Sequence, residues 1–286
     1  MMSIVRAILF GVVQGLTEFL PVSSSGHLAV FHRLFGAEAE AVVPLGVIAH
    51  VGTLVAVLLY FRRELAMFAR ALSPNALSGT IRRPSLLFAS VPNQDEESRG
   101  WYQRVLAMIA LGTVPAAIVG LTLKESIEQA FSSVKVVGVM FLVTAAFLFL
   151  TRLFREGEKT ARHFWLLSVL FIGAAQALAI MPGISRSGAT IAAGIFLGFR
   201  REFAAKFSFL LSIPAIAGAF LLELDEIVHV FSTQGALETA LVFLSAFAVG
   251  YASIALLLRV VGRGKLHLFG FYCIVAGVIT LLVVGV

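Results

Sequence analysis

Glu18, Ser24, His27 and Arg186 are residue types that move protons, attack electrophiles or hold anions, and each is set in an otherwise apolar stretch. They belong to two strings. The first reads Gln14-Gly-Leu-Thr-Glu18-Phe-Leu-Pro21-Val-Ser23-Ser24-Ser25-Gly26-His27, and the second Gln176-Ala-Leu-Ala-Ile-Met-Pro182-Gly183-Ile-Ser185-Arg186-Ser187-Gly188-Ala-Thr190. An ionised group at the centre of a bilayer costs about 2.5–3.5 kcal/mol on insertion scales, so such residues inside apolar sequence mark a functional site. Arg, Ser, Thr and Gly beside helix starts make an anion cradle, while Glu and His add acid–base capacity.

Each serine cluster follows a proline break and precedes a fresh apolar run, which puts it at the N-terminus of a second half-helix. Free backbone N–H groups and the positive end of the helix dipole attract an anion there. Arg186 adds a guanidinium able to grip phosphate oxygens in pairs. Two facing half-helix starts and one arginine suit a diphosphate better than a carboxylate. Glu18 follows Gln14 by four residues, so both share one face of the first half-helix. It can orient or deprotonate a neighbour, hold a divalent cation, or pair with Arg186. His27 lies three residues from Ser24, close enough for the imidazole to activate a hydroxyl. His50 is a weaker candidate for the same cavity, and His32, His163, His229 and His267 read as interfacial. No phosphate-binding glycine loop, dinucleotide fingerprint, zinc spacing or Asp-rich diphosphate–magnesium box occurs, so phosphate must be held mainly by Arg and backbone donors.

The elements that position these residues are membrane helices. The chain has 286 residues, 59% of them hydrophobic and 13% charged, about half the charged share of a soluble domain. Its net charge of +6 comes in short basic clusters between apolar runs, the positive-inside pattern rather than a nucleic-acid face. Runs long enough to span a bilayer lie at about 43–61, 105–121, 136–151, 205–222, 238–258 and 266–285. Cys273 sits in one of them, and a buried, inert thiol is expected. Arg6 alone precedes the first apolar stretch and no small-residue cleavage site follows, so no removable signal segment is expected.

One set of connections holds Arg62, Arg63, Arg82, Arg83, Arg152, Arg155, Lys159, Arg200, Arg201, Arg259 and Lys265, and the other holds Glu125, Glu128, Glu223, Asp225, Glu226 and Glu238. Placing the basic set in the cytoplasm leaves residues 1–34 and 164–199 beginning and ending on one side each, both broken in the middle. The expected architecture is therefore an all-α polytopic membrane protein forming one domain over 1–286. About six membrane-spanning helices would surround two oppositely inserted re-entrant helical hairpins. Gln14-Gly-Leu aligns with Gln176-Ala-Leu, and Ser23 to Gly26 with Ser185 to Gly188, the pattern of an inverted-topology repeat. The two breaks should then meet near the midplane and line one cavity. Residues 62–104 read as a solvated cytoplasmic loop, and both termini and the mouth of the site as periplasmic.

At these motifs the chain resembles the undecaprenyl-diphosphate phosphatase family, also called bacitracin-resistance proteins. Gln14 to Glu18 matches its (Glu/Gln)-x-x-x-Glu segment, Pro21 to His27 its Pro-Val-Ser-Ser-(Ser/Thr)-Gly-His, and Pro182 to Thr190 its Pro-Gly-x-Ser-Arg-Ser-x-x-Thr. The resemblance covers essentially the whole chain. It implies an integral enzyme of the bacterial inner membrane that hydrolyses undecaprenyl diphosphate to the monophosphate and phosphate, recycling the lipid carrier of cell-wall synthesis. Carried over, Glu18, Ser24, His27 and Arg186 become catalytic candidates. Gln14, Ser23, Ser25, Gly183, Ser185, Ser187 and Thr190 become substrate-binding ones. Gln at position 14 removes one carboxylate and weakens any model needing two for a metal, so Mg²⁺ or Ca²⁺ stays an open expectation with no assigned ligands. Ser24, a water or His27 could be the nucleophile. The expected partners are a polyprenyl diphosphate, membrane lipids and at most a second copy of the chain, with no nucleic acid.

A secondary transporter or flippase of a lipid phosphate is the main rival, since facing half-helices are common in transporters. Binding an anion, however, needs Arg186 and backbone donors, not Glu18, Ser24 and His27 together. A lipid phosphatase with Lys…Arg-Pro, Ser-Gly-His and Ser-Arg…His motifs is a weaker rival. Arg83-Pro84 has no upstream lysine, and no histidine follows Arg186 at helical reach.

Overall fold

The computed structural model describes residues 3–35, 43–72, 95–222 and 235–284, and helices carry its architecture. In chain order they are α1 (Ile4–Phe19), α2 (Ser24–Phe35), α3 (Val43–Tyr60), α4 (Arg62–Leu72), α5 (Asp95–Thr122) and α6 (Lys124–Ser132). Then come α7 (Val134–Leu150), α8 (Leu166–Leu178), α9 (Arg186–Phe196), α10 (Arg201–Leu222), α11 (Ala236–Gly262) and α12 (Leu268–Ile279). Among the described residues, four helices are long and apolar enough to cross a membrane: those over Gly100–Thr122, Val134–Leu153, Arg201–Leu222 and Ala236–Gly262. The protein is an all-α membrane protein.

The expected runs at 105–121, 136–151, 205–222 and 238–258 fall inside α5, α7, α10 and α11. The run at 43–61 ends in a bend of 72° between α3 and α4. The last run forms the shorter α12 followed by a π-helical turn over Thr280–Val284. Residues 62–72 correct the expectation of a plain loop, because they form an amphipathic helix. Glu64, Met67, Phe68 and Ala71 recur at helical spacing and are buried, while Arg62, Arg63 and Arg70 face outward. Arg82, Arg83, Glu223, Asp225, Glu226, His229 and the rest of that loop up to residue 94 lie outside the described residues.

Two segments fold as a half-helix, a break and a second half-helix. The first is α1, residues 20–23 and α2, and the second is α8, residues 179–185 and α9. At 1.5 Å per residue these half-helices are roughly 17–24 Å long, short of a hydrocarbon core of about 30 Å. Each leading half-helix lies along a spanning helix at very close range. A Cβ at Gly11 would sit 2.5 Å from the Val242 carbonyl of α11, and one at Gly15 2.8 Å from that of Ala246. On the other hairpin a Cβ at Gly173 of α8 would sit 2.6 Å from the Gly112 carbonyl of α5. Small residues at such spacing let backbones approach in the absence of a hydrophobic drive between helices. The trailing half-helices α2 and α9 both pack on α7.

The breaks themselves touch. A Cβ at Gly26 would fall 2.9 Å from Gly183 Cα, and one at Gly188 would fall 3.3 Å from Pro21 Cβ. Gly183 has φ +98°, a conformation L side chains rarely adopt, and the Val137 carbonyl stands where its Cβ would be. Thr144 of α7 clamps the same turn: its hydroxyl donates to the Gly183 carbonyl at 2.9 Å and accepts from the Ser185 N–H at 3.0 Å.

Candidate active site

The two half-helix starts repeat one hydrogen-bond pattern. Ser23 Oγ accepts from Gly26 N–H at 3.2 Å, and Ser185 Oγ accepts from Gly188 N–H at 3.1 Å. Each capping serine also shares a 3.2 Å hydrogen bond with the serine two residues on, Ser25 and Ser187 respectively. This is N-capping of the ordinary kind, and it leaves the first residue of each helix pointing elsewhere. Those first residues are Ser24 in one repeat and Arg186 in the other. Ser23 adopts φ +66° to make its turn, a strained state for a residue with a Cβ.

Glu18, one turn before the first break, joins the two starts. Ser24 Oγ donates to Glu18 Oε2 at 2.7 Å, and Gln14 Nε2 donates to the same oxygen at 3.0 Å. Arg186 Nη2 donates to Glu18 Oε1. The carboxylate side chain is 6% exposed and the guanidinium 18%. A buried ion pair is a weak source of stability, because desolving both charges consumes most of the attraction. Its place between a hydroxyl and a cavity is better explained by chemistry. Arg186 Nη1 is buried and has no protein partner among the described residues, so half of the guanidinium faces away from Glu18 with its donors free.

His50 of α3 completes the group. Its Nδ1 donates to the Gly46 carbonyl at 2.8 Å, and its Nε2 stands 3.7 Å from Glu18 Oε2. A carbonyl can only accept, so the proton sits on Nδ1 in the neutral ring and Nε2 is left to the cavity. The sequence ranked His50 low because it stands alone in an apolar run; only the packing of α3 beside α1 brings it to Glu18.

These groups line a cavity of about 610 Å³. Its polar wall includes Thr17, Glu18, Ser23, Ser24, Ser25, His50, Gln176, Ser185 and Arg186. Its apolar wall includes Val47, Ala116, Leu121, Ile180, Ala219 and Leu221. Several expected site residues stand behind the wall instead. Gln14 orients Glu18. Ser187 braces Ser185. Thr190 donates to the Arg186 carbonyl at 2.8 Å and shares a 2.6 Å hydrogen bond with Ser208 of α10, which anchors α9. Gly183 shapes the turn.

His27 does not make the expected hydrogen bond to Ser24. Its Nδ1 donates to the Ser23 carbonyl at 2.7 Å, and its Nε2 accepts from the Tyr272 hydroxyl at 2.6 Å. The ring stacks on Tyr272 of α12 and meets Phe141 of α7 edge-on. Ser24 at the start of α2 turns to Glu18, while His27, three residues on, packs between α7 and α12. Among the described residues no group of three His, Cys, Asp or Glu is placed to hold a metal ion on protein ligands alone. Cys273 is fully buried, as its apolar run predicts.

A family model described as Bacitracin resistance protein BacA matches residues 7–279. A relative from Desulfosudis oleivorans named Undecaprenyl-diphosphatase is 43% identical, covering 97% of each chain. One of the same name from Desulforapulum autotrophicum is 42% identical over 98% of each, and one from Methanosphaera stadtmanae 38% identical over 99% of this chain and 98% of its own. The chain belongs to the bacitracin resistance protein BacA family.

Proposed function

We propose that this chain hydrolyses undecaprenyl diphosphate to undecaprenyl phosphate and inorganic phosphate. It would act in a bacterial inner membrane, where this reaction recycles the lipid carrier of cell-wall synthesis and confers resistance to bacitracin. The observation that carries the reading is the Ser24–Glu18–Arg186 connection on the polar side of a mostly apolar cavity. The free donors of Arg186 and the two capped helix starts hold the phosphates and stabilise charge on the transferring phosphoryl group. Ser24 Oγ attacks the terminal phosphorus and its proton passes to Glu18. The bond to the bridging oxygen breaks, and the lipid monophosphate leaves with that oxygen. Glu18 passes that proton through His50 and cavity water to the departing lipid phosphate. Water then attacks the phosphoserine, and Glu18 takes the water proton and hands it to Ser24 Oγ as inorganic phosphate leaves. His50 Nε2 exchanges protons between Glu18 and cavity water. The prenyl tail lies along the apolar wall.

A lipid-phosphate transporter would use the anion cradle, but it has no need of a carboxylate hydrogen-bonded to a serine hydroxyl. The test is phosphate release from a prenyl diphosphate by purified protein in detergent, beside Arg186→Ala. Release by the native chain and a loss of about a hundredfold or more in the variant is expected. Tight binding of the lipid by the native chain without release would replace this reading by the transporter one.

A further inference from the structure

Gln176 lines the active-site cavity, is 2% exposed, and neither its Nε2 nor its Oε1 has a hydrogen-bond partner among the described residues. An amide enclosed in this way loses its bonds to water and gains none from the protein, so a state of the molecule that leaves it bare is disfavoured. The internal repeat explains how the gap arose. Gln14 and Gln176 are equivalent positions, and Gln14 donates to the carboxylate four residues on, Glu18. Four residues after Gln176 stands Ile180, which has nothing to accept a hydrogen bond. The second repeat keeps the amide and lacks its partner.

We propose that Gln176 is a substrate ligand that binds the phosphate joined to the lipid, and so makes the site select diphosphates over monophosphates. The proposal rests on the diphosphatase reading above. Nε2 donates to an oxygen of that phosphate, and Oε1 accepts from a water or a P–OH on it. The terminal phosphate already has Arg186 and the serine-capped helix starts beside the attacking Ser24. Gln176 comes from α8, and the neighbouring residues of that hairpin that line the cavity, Ala179 and Ile180, are apolar. The amide therefore stands where polar wall gives way to apolar wall, the place of a phosphate with a prenyl chain attached. Arg186 Nη1, also buried and without a protein partner among the described residues, is left for the terminal phosphate, so Gln176 is the side-chain donor to the lipid-linked one.

The test compares the native chain with Gln176→Leu, and with Gln176→Met, which keeps the length without the amide, in case leucine does not fold. Three quantities are read: thermal midpoint of the ligand-free protein, binding of inorganic diphosphate and of inorganic phosphate, and KM against kcat for a prenyl diphosphate. The proposal predicts a midpoint equal to or above that of the native chain, because two bare polar atoms are removed. Diphosphate binding weakens about ten- to hundredfold while phosphate binding changes less than threefold, and KM rises. A lowered midpoint with diphosphate binding unchanged would make Gln176 a packing residue and overturn the proposal. Equal weakening of both anions would overturn the selectivity. The binding arm stands even where turnover is absent, so a native chain that binds diphosphate but releases no phosphate defeats the phosphatase reading and not this one.

Discussion

Glu18 has three hydrogen-bond donors on two oxygens, so its orientation is fixed before substrate arrives. Glu18→Gln keeps the shape but puts an N–H where one of those donors now points and removes the base. Its kcat should fall by about 10²–10⁴-fold with folding retained, which steady-state phosphate release and a melting curve would measure together. Arg186→Lys keeps the charge yet cannot serve Glu18 and a phosphate at once, so it should behave nearer to alanine than to arginine in the same assay. The pairing of Glu18 with Arg186 was one of the roles the sequence left open for Glu18, because a charge inside an apolar run needs a partner and few are present. His50 was legible only as a weaker candidate for the cavity, and Gln176 only as the repeat counterpart of Gln14. A single polar residue in an apolar run faces the cavity or the core according to helix packing, which spacing along the chain does not encode. The orientation of His27 is set by its packing on Phe141 of α7 and Tyr272 of α12, elements distant in sequence.

Among the elements, the two breaks do the positioning, and the second depends on a residue with no room for a side chain. Gly183→Ala must place a Cβ 2.5 Å from the Val137 carbonyl at φ +98°, and backbone strain of this kind costs about 1–3 kcal/mol. Because the turn also sets the start of α9, the variant should lose stability and activity together, and a melting curve beside an activity assay would show it. A loss of stability alone would mean that Arg186 finds its position without this turn. Helix breaks, caps and most of the spans were readable, since Pro, Gly and serine caps act locally. The helix α4 was missed because Arg62, Arg63, Glu64 and Arg70 dilute its hydropathy, although the apolar spacing of an amphipathic helix was present.

For the whole molecule, the central proposition is that two similar hairpins supply unlike residues, Ser24 and Arg186, to one carboxylate. The proposed topology places the Lys124 end of α6 outside and the Glu158 connection inside. Both positions are exposed, and Cys273 is fully buried, so it need not be removed. With an impermeant thiol reagent on intact cells, Lys124→Cys should label and Glu158→Cys should label only after lysis. The reverse result would invert the orientation and put the site mouth on the cytoplasmic side. The most direct test of the chemistry is a rapid acid quench of the protein mixed with prenyl diphosphate labelled at its terminal phosphate. The mechanism predicts an acid-stable label on the peptide containing Ser24, formed no later than free phosphate and absent from Ser24→Ala. Free phosphate released at the native rate by Ser24→Ala, with no label on protein at any time, would contradict it.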